Sequence, residues 1–270
     1  MFLRTPVAPD RTQPGVTAVL DKAYPDFVAF LGQQNTPPGA FRTVDEWVRM
    51  ASVTRGSRLL DLACSTGWSG RTAHELTGAD VHGIDISADA VEQARAYAKG
   101  SPVLTYQVAD AAELPLPDDT YTHVLGGCNF GFIERRERAL DEVHRVLRPG
   151  GMLCSAAFYY HTRPPEDLLD RVAEVIGFRP DGSRDREFWT RFFSRRFDPV
   201  AEVLHDTPAL GPRRVARAVR RSVYGRVPAL AGVSRPVRDA CFHRLRETRL
   251  VLDEHRRYQG LMTGVWRAKP

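Results

Sequence analysis

From residue 58 to 160, short apolar runs rich in β-formers alternate with stretches of helical periodicity. That alternation leaves a chain few options. Each strand needs a crossover long enough to bring the next one back parallel, and the helices so made cover both faces of a single sheet. The pattern predicts strands at 58–63, 80–86, 103–109, 120–127 and 151–159, with helices at about 68–77, 89–99 and 134–147. Ser87 is placed to cap the second helix and Gly100 to stop it, while Arg148-Pro149-Gly150-Gly151 ends the third. Helices are predicted before this core at 16–31 and 43–53, the latter opened by a capping box of Thr43 and Glu46. After it come helices at 165–177, 185–196, 212–222 and 236–257, and strands at 200–206 and 261–267. The domain expectation is an N-terminal helical cap over 1–57, a core over 58–206 and 258–270, and an Arg-rich helical insertion over 207–257 acting as a lid.

The first strand runs into Leu59-Leu60-Asp61-Leu62-Ala63-Cys64-Ser65-Thr66-Gly67-Trp68, where small residues occupy a tight strand-to-helix turn of the kind that lets a ligand approach backbone. A nicotinamide fingerprint would put glycines at 63, 65 and 68, and the chain has Ala63, Ser65 and Trp68 there. Two further acids end the next two strands: Asp85 in Gly83-Ile84-Asp85-Ile86-Ser87, and Asp110 in Gln107-Val108-Ala109-Asp110-Ala111. Each acid alone could be a turn former or a solvated strand end. Three of them at successive strand ends, on the rim where open α/β sheets bind ligands, point to a bound cofactor rather than coincidence.

An acid inside the first strand, small residues at 63, 65 and 67, and then Asp85, Asp110, Leu114-Pro115-Leu116-Pro117-Asp118-Asp119 and Arg148-Pro149-Gly150-Gly151 together resemble the class I S-adenosylmethionine-dependent methyltransferases, in particular the ubiquinone/menaquinone-biosynthesis type. The resemblance covers 58–160, and the closing segment fits the family's last strand. It implies a Rossmann-like, seven-stranded, mostly parallel sheet with helices on both faces. It also implies S-adenosylmethionine as cofactor, bound along Asp61, Ala63, Cys64, Ser65 and Gly67 on its methionine side. Asp85 and Ile86 would hold the adenosine, Asp110 and Ala111 would edge the adenine, and Cys128 and Asn129 would lie along the open side. The activity implied is methyl transfer to a small-molecule acceptor, at oxygen or nitrogen before carbon, in secondary-metabolite or quinone-like lipid biosynthesis. Alanine and serine standing at 63 and 65 motivate an alternative: a cyclase-like enzyme or binding module that holds the cofactor without spending its methyl group.

His161, just past the fifth strand, is the candidate general base, and Tyr24 and Tyr160 are candidate substrate contacts. His74, His82, His123 and His144 fall within helices or strands and read as structural. The four cysteines, at 64, 128, 154 and 241, have no zinc-ligand spacing, so free thiols and no metal are expected. Residues 207–238 hold eight arginines and no acid, leaving the rest of a +5 chain net acidic. The helix over 212–222 is then amphipathic and basic. Its outer face is either simply solvated or, through Arg213 to Arg226, a surface for an anionic or carrier-bound substrate or a membrane. Nucleic acid is disfavoured, because Cys128-Asn129-Phe130-Gly131 lacks the Asn/Asp-Pro-Pro-aromatic pattern of base-amine methyltransferases and no aromatic-interleaved basic module accompanies the arginines. An RNA methyltransferase is the weaker alternative. No signal-peptide run or membrane-length apolar stretch is evident, so a cytoplasmic protein is expected. Nothing in the pattern specifies an oligomeric state.

Overall fold

A computed structural model describes residues 15–270; residues 1–14, on which the expectation of no leader rests, lie outside the described residues. Seven strands form one sheet: β1 (Arg58–Leu62), β2 (Asp80–Asp85), β3 (Leu104–Val108), β4 (Tyr121–Gly126), β5 (Leu147–Tyr160), β6 (Phe197–Asp206) and β7 (Gln259–Ala268). Their order is β3-β2-β1-β4-β5-β7-β6, parallel except for β7, which runs antiparallel to both β5 and β6. This is the seven-stranded, mostly parallel Rossmann-like sheet expected. The order reverses between β1 and β4, which opens a crevice outside their C-terminal ends.

Register decides what lines that crevice. Leu62 pairs with Ile84 and Asp85 with Val108, so the ends of β1, β2 and β3 finish flush. Beyond them the Cys64 N–H donates to Ile84 O at 2.8 Å and the Ala109 N–H to Asp85 O at 3.0 Å, carrying the alignment into the loops.

Among the described residues ten α-helices follow in chain order: α1 (Val16–Leu20), α2 (Tyr24–Phe30), α3 (Phe41–Met50), α4 (Trp68–Thr77), α5 (Ala88–Ala98), α6 (Arg136–Val146), α7 (Glu166–Ile176), α8 (Arg186–Ser194), α9 (Pro212–Tyr224) and α10 (Arg235–His255). Ser87 Oγ caps α5 by accepting from the Ala90 N–H. The helix predicted over 16–31 is instead two, since Pro25 favours a fresh helix start and α2 begins at Tyr24. The capping box does not form, because α3 starts two residues before Thr43. Thr43 donates instead to Pro38 O, and Glu46 accepts from Thr263 Oγ1 at 2.8 Å and lies 2.9 Å from His205 Nε2, tying α3 to the sheet.

Two apolar layers flank the sheet. One centres on Leu60, Phe130, Leu140, Phe193 and Trp266, and the other on Trp47, Leu59, Val81, Leu125 and Val265. Trp47 of α3 donates its indole N–H to Ser155 O at 3.0 Å, so α3 packs directly on the sheet. A third cluster joins Val19, Phe27 and Leu31 from α1–α2 with Val215, Val219 and Leu245 from α9–α10. The segments expected as N-terminal cap and as insertion thus share one helical layer. Arg244 fastens it, donating to Val19 O, Leu20 O and Lys22 O while lying 4.2 Å from the Phe27 ring centroid. Among the described residues, no helix is long and apolar enough to cross a membrane.

Candidate active site

A cavity of about 1050 Å³ runs from the C-terminal edge of the sheet to the underside of the helical layer. Of the residues read from sequence, it is lined by Asp61, Ala63, Cys64, Ser65, Asp85, Ile86, Asp110, Ala111, Cys128, Asn129 and Tyr24.

The turn after β1 takes the backbone shape its missing glycines would have given it. Ala63 and Ser65 adopt φ of 47° and 49°, and Gly67 follows at 72°. In this shape the Ser65 N–H reaches Asp85 Oδ2 at 2.8 Å, while the Ser87 N–H donates to Oδ1 at 2.9 Å. The carboxylate is thereby fixed with lone pairs left for a pair of hydroxyls. Gly67, expected along the methionine side of the cofactor, does not line the cavity. A Cβ there would lie 2.5 Å from the Tyr106 ring, so the glycine serves the close packing of the turn on Tyr106.

Asp61 is 3 % exposed and accepts from the Gly70 N–H at 2.9 Å. Burial pushes its pKa up to about 7, against the pull of the Gly70 hydrogen bond, with Asp85's charge adding to the rise. A cation in the cavity would return it to the ionised form. Asp110 is a half-buried rim acid whose Oδ1 accepts from the Ala112 N–H and whose Oδ2 pairs with Arg135 at 2.8 Å. Those contacts hold its carboxyl below the usual range. Cys128 and Asn129 begin the 3₁₀ turn after β4, where Asn129 Nδ2 donates to Leu62 O and so crosses from the β4 loop to the end of β1.

These residues fit S-adenosylmethionine. Its ribose diol suits Asp85, its planar adenine suits Ile86, a large apolar side chain 74 % exposed on the wall, and its positive charges suit Asp61. Two buried polar atoms that end in no hydrogen bond within the described residues, Thr66 Oγ1 and Asn129 Oδ1, belong to residues on the same wall and offer acceptors to an ammonium group.

A second cavity of about 290 Å³ shares Tyr24, Cys128, Phe132, Ile176 and Phe178 as walls with the first, so the two adjoin. Its depth holds Tyr160, 8 % exposed, with Oη 2.8 Å from Nε2 of His255, itself 4 % exposed. Burial pushes the Tyr160 phenol up to about 12 and the His255 imidazole down to about 4, so both are neutral near pH 7. His161 is elsewhere. Its side chain is exposed, its Nδ1 lies 3.3 Å from Thr162 Oγ1, and it lines neither cavity, because the chain turns outward after Tyr160. His74, His82, His123 and His144 are each engaged within the fold, by Ala79 O, Tyr121 Oη, Ala51 O and Lys269 O. All four cysteines are free thiols. Sequence reasoning missed His255, Phe178, Arg184, Arg249 and Arg256, which reach the second cavity from α10, the 3₁₀ turn just after it and the segment after α7.

Residues 60–155 match the family described as a methyltransferase domain. The crystal structure of MccD protein is 39 % identical, covers 87 % of this chain and all of that one, and superposes with a TM-score of 0.79. Malonyl-[acyl-carrier protein] O-methyltransferase of Methylococcus capsulatus is 28 % identical over 202 residues, 65 % of this chain and 74 % of that protein. Demethylmenaquinone methyltransferase of Clavibacter sepedonicus is 33 % identical over 123 residues, 46 % of this chain and 49 % of that protein.

Proposed function

Because this chain belongs to the class I S-adenosylmethionine-dependent methyltransferases, we propose that it methylates an oxygen or nitrogen of a small molecule held between the sheet edge and the helical layer. One observation carries the reading: the cavity wall with the cofactor-binding features adjoins a second, mostly apolar cavity large enough for an acceptor. The names of the relatives, which act on a carrier-bound malonyl group and on demethylmenaquinone, support a biosynthetic acceptor of the secondary-metabolite or quinone-like lipid class.

When bound, S-adenosylmethionine supplies a methyl group on a sulfonium that departs as the neutral thioether S-adenosylhomocysteine. The chain's part is alignment and exclusion of water. Asp85 and Ile86 fix the nucleoside end, the turn at Ala63–Ser65 and Asp61 the methionine end, and Cys128 and Phe132 stand where the two cavities meet. Where the acceptor must lose a proton, the Tyr160 hydroxyl would take it while handing its own to His255 Nε2, 2.8 Å away; His161 lines neither cavity. The exposed arginines between Arg213 and Arg226 give the helical layer a basic outer face, suited to an acidic carrier or an anionic membrane bearing the acceptor.

The test is turnover with methyl-labelled cofactor and a panel of phenolic, carboxylic and amine acceptors. Label in an acceptor with equimolar S-adenosylhomocysteine is the expected result. Consumption of an acceptor with the cofactor intact would favour cyclase-like chemistry, and a different nucleoside product would overturn methyl transfer.

A further inference from the structure

The second cavity is apolar over most of its wall, yet three guanidinium groups border it against one carboxylate. Arg184 is fixed there: Nη1 donates to Gly131 O at 2.9 Å, Nε lies 3.4 Å from Asp181, and the group sits 5.9 Å from the Trp189 ring centroid. Its Nε is buried without a hydrogen bond among the described residues. Arg249 donates only to the neutral Gln33 Oε1, at 3.0 Å, and Arg256 has no hydrogen-bond or ion-pair partner for its guanidinium among the described residues. Burial, with Arg136's charge adding, already strains Arg184's protonation, so an anion here would relieve an existing cost.

Resting on the methyl-transfer reading above, we infer that the acceptor is an anion, a small apolar body carrying a carboxylate or phosphate that Arg184, Arg249 and Arg256 receive in the inner cavity. Guanidinium groups match either oxyanion through paired N–H donors. A cavity of about 150 Å³ accommodates benzene, so the roughly 290 Å³ here takes one ring or short chain together with its charged group. Phe178, Ile176, Leu252 and Trp189 supply the apolar contacts. The arrangement would hold the anionic end against these arginines and present the opposite end of the acceptor toward Cys128 and the cofactor wall.

The full chain, saturated with S-adenosylhomocysteine, is titrated calorimetrically with phenyl phosphate, 3-phenylpropionate and the neutral 3-phenylpropanol. At least one anion should bind tenfold or more tightly than the alcohol, and whichever is tighter distinguishes phosphate from carboxylate. Arg256→Gln and Arg249→Gln should each weaken that anion fivefold or more while leaving S-adenosylhomocysteine affinity unchanged. Equal binding of alcohol and anions, no binding of any probe, or undiminished anion binding in both variants would overturn the inference. The separate titration of S-adenosylhomocysteine keeps the two readings apart: its binding without discrimination among the probes removes the anion site alone, whereas failure to bind removes the cofactor reading beneath it.

Discussion

The cofactor rim is assembled from residues 61–66, 85–86, 110–111 and 127–129, each just at or past the end of a strand, and strand register alone brings them together. The inner cavity draws Tyr24, Phe178, Arg184, Arg249 and His255 from α2, a loop and the C-terminal half of a 21-residue helix, and only tertiary packing joins them. A rim built on register tolerates little backbone change and is specified locally, whereas a wall built of side chains from separate elements can be recut residue by residue. Substitutions on the rim should therefore disturb folding and cofactor affinity, and substitutions in the inner wall should disturb turnover and acceptor choice.

The largest expected effect is in the turn that carries the rim, where the chain packs on Tyr106. Gly67→Val combines a left-handed φ of 72° with a Cβ directed into the Tyr106 ring. It should cost about 3 kcal/mol or more of stability by denaturant unfolding. A loss below about 1 kcal/mol would show that the turn is softer than its packing implies.

Next comes the pH dependence of Asp61. Its folded pKa of about 7 lies above the unfolded value of 3.8, so the folded chain holds the proton more tightly. The stability this contributes is complete below about pH 4 and is lost as pH rises through about 7, a fall of about 2–4 kcal/mol, since each tenfold difference in proton affinity is worth about 1.4 kcal/mol. Thermal unfolding of the cofactor-free chain between pH 5 and 8 should show this slope, and Asp61→Asn should flatten it. The cationic cofactor should bind more tightly over the same rise in pH in the native chain and not in the variant.

Asp85→Ala should weaken S-adenosylmethionine binding by about 1.5–3 kcal/mol, the worth of hydrogen bonds to a charged group, without unfolding the chain. Unchanged affinity would put the ribose elsewhere. On the other side of the comparison, Tyr160→Phe should slow turnover about tenfold, which is ~1.4 kcal/mol of barrier, and leave cofactor affinity within twofold. His161→Ala should leave both alone. The opposite ranking of the two variants would return the base to the strand end.

That contrast also explains what could be read before the fold was known. Strand ends carrying Asp61, Asp85 and Asp110 announce themselves through short, ordered spacings, and the sheet followed from the same alternation. Tyr160 and His255 stand 95 residues apart, and no local pattern links them. His161 drew attention because it follows a strand, but β5 ends at Tyr160 and the chain bends there, leaving the His161 side chain exposed. The helix break before Tyr24 was signalled by Pro25, whereas the failure of the Thr43–Glu46 capping box was not, since it depends on partners in β6 and β7.

The smallest effect tests the rim where it departs from its family's glycines. Ala63 holds φ of 47° at a position that costs an L-residue about 1–2 kcal/mol relative to glycine. Ala63→Gly removes that strain and also adds about 0.4–1 kcal/mol of chain entropy to the unfolded state, so the two effects nearly offset. Net stabilisation of about 0.5 kcal/mol is expected by denaturant unfolding, with cofactor affinity unchanged or slightly improved, because the Ser65 N–H already reaches Asp85 in the native turn. Should the glycine variant lose affinity severalfold, the alanine would be rigidifying the turn for the cofactor, and the rim would prove as dependent on particular side chains as the inner wall.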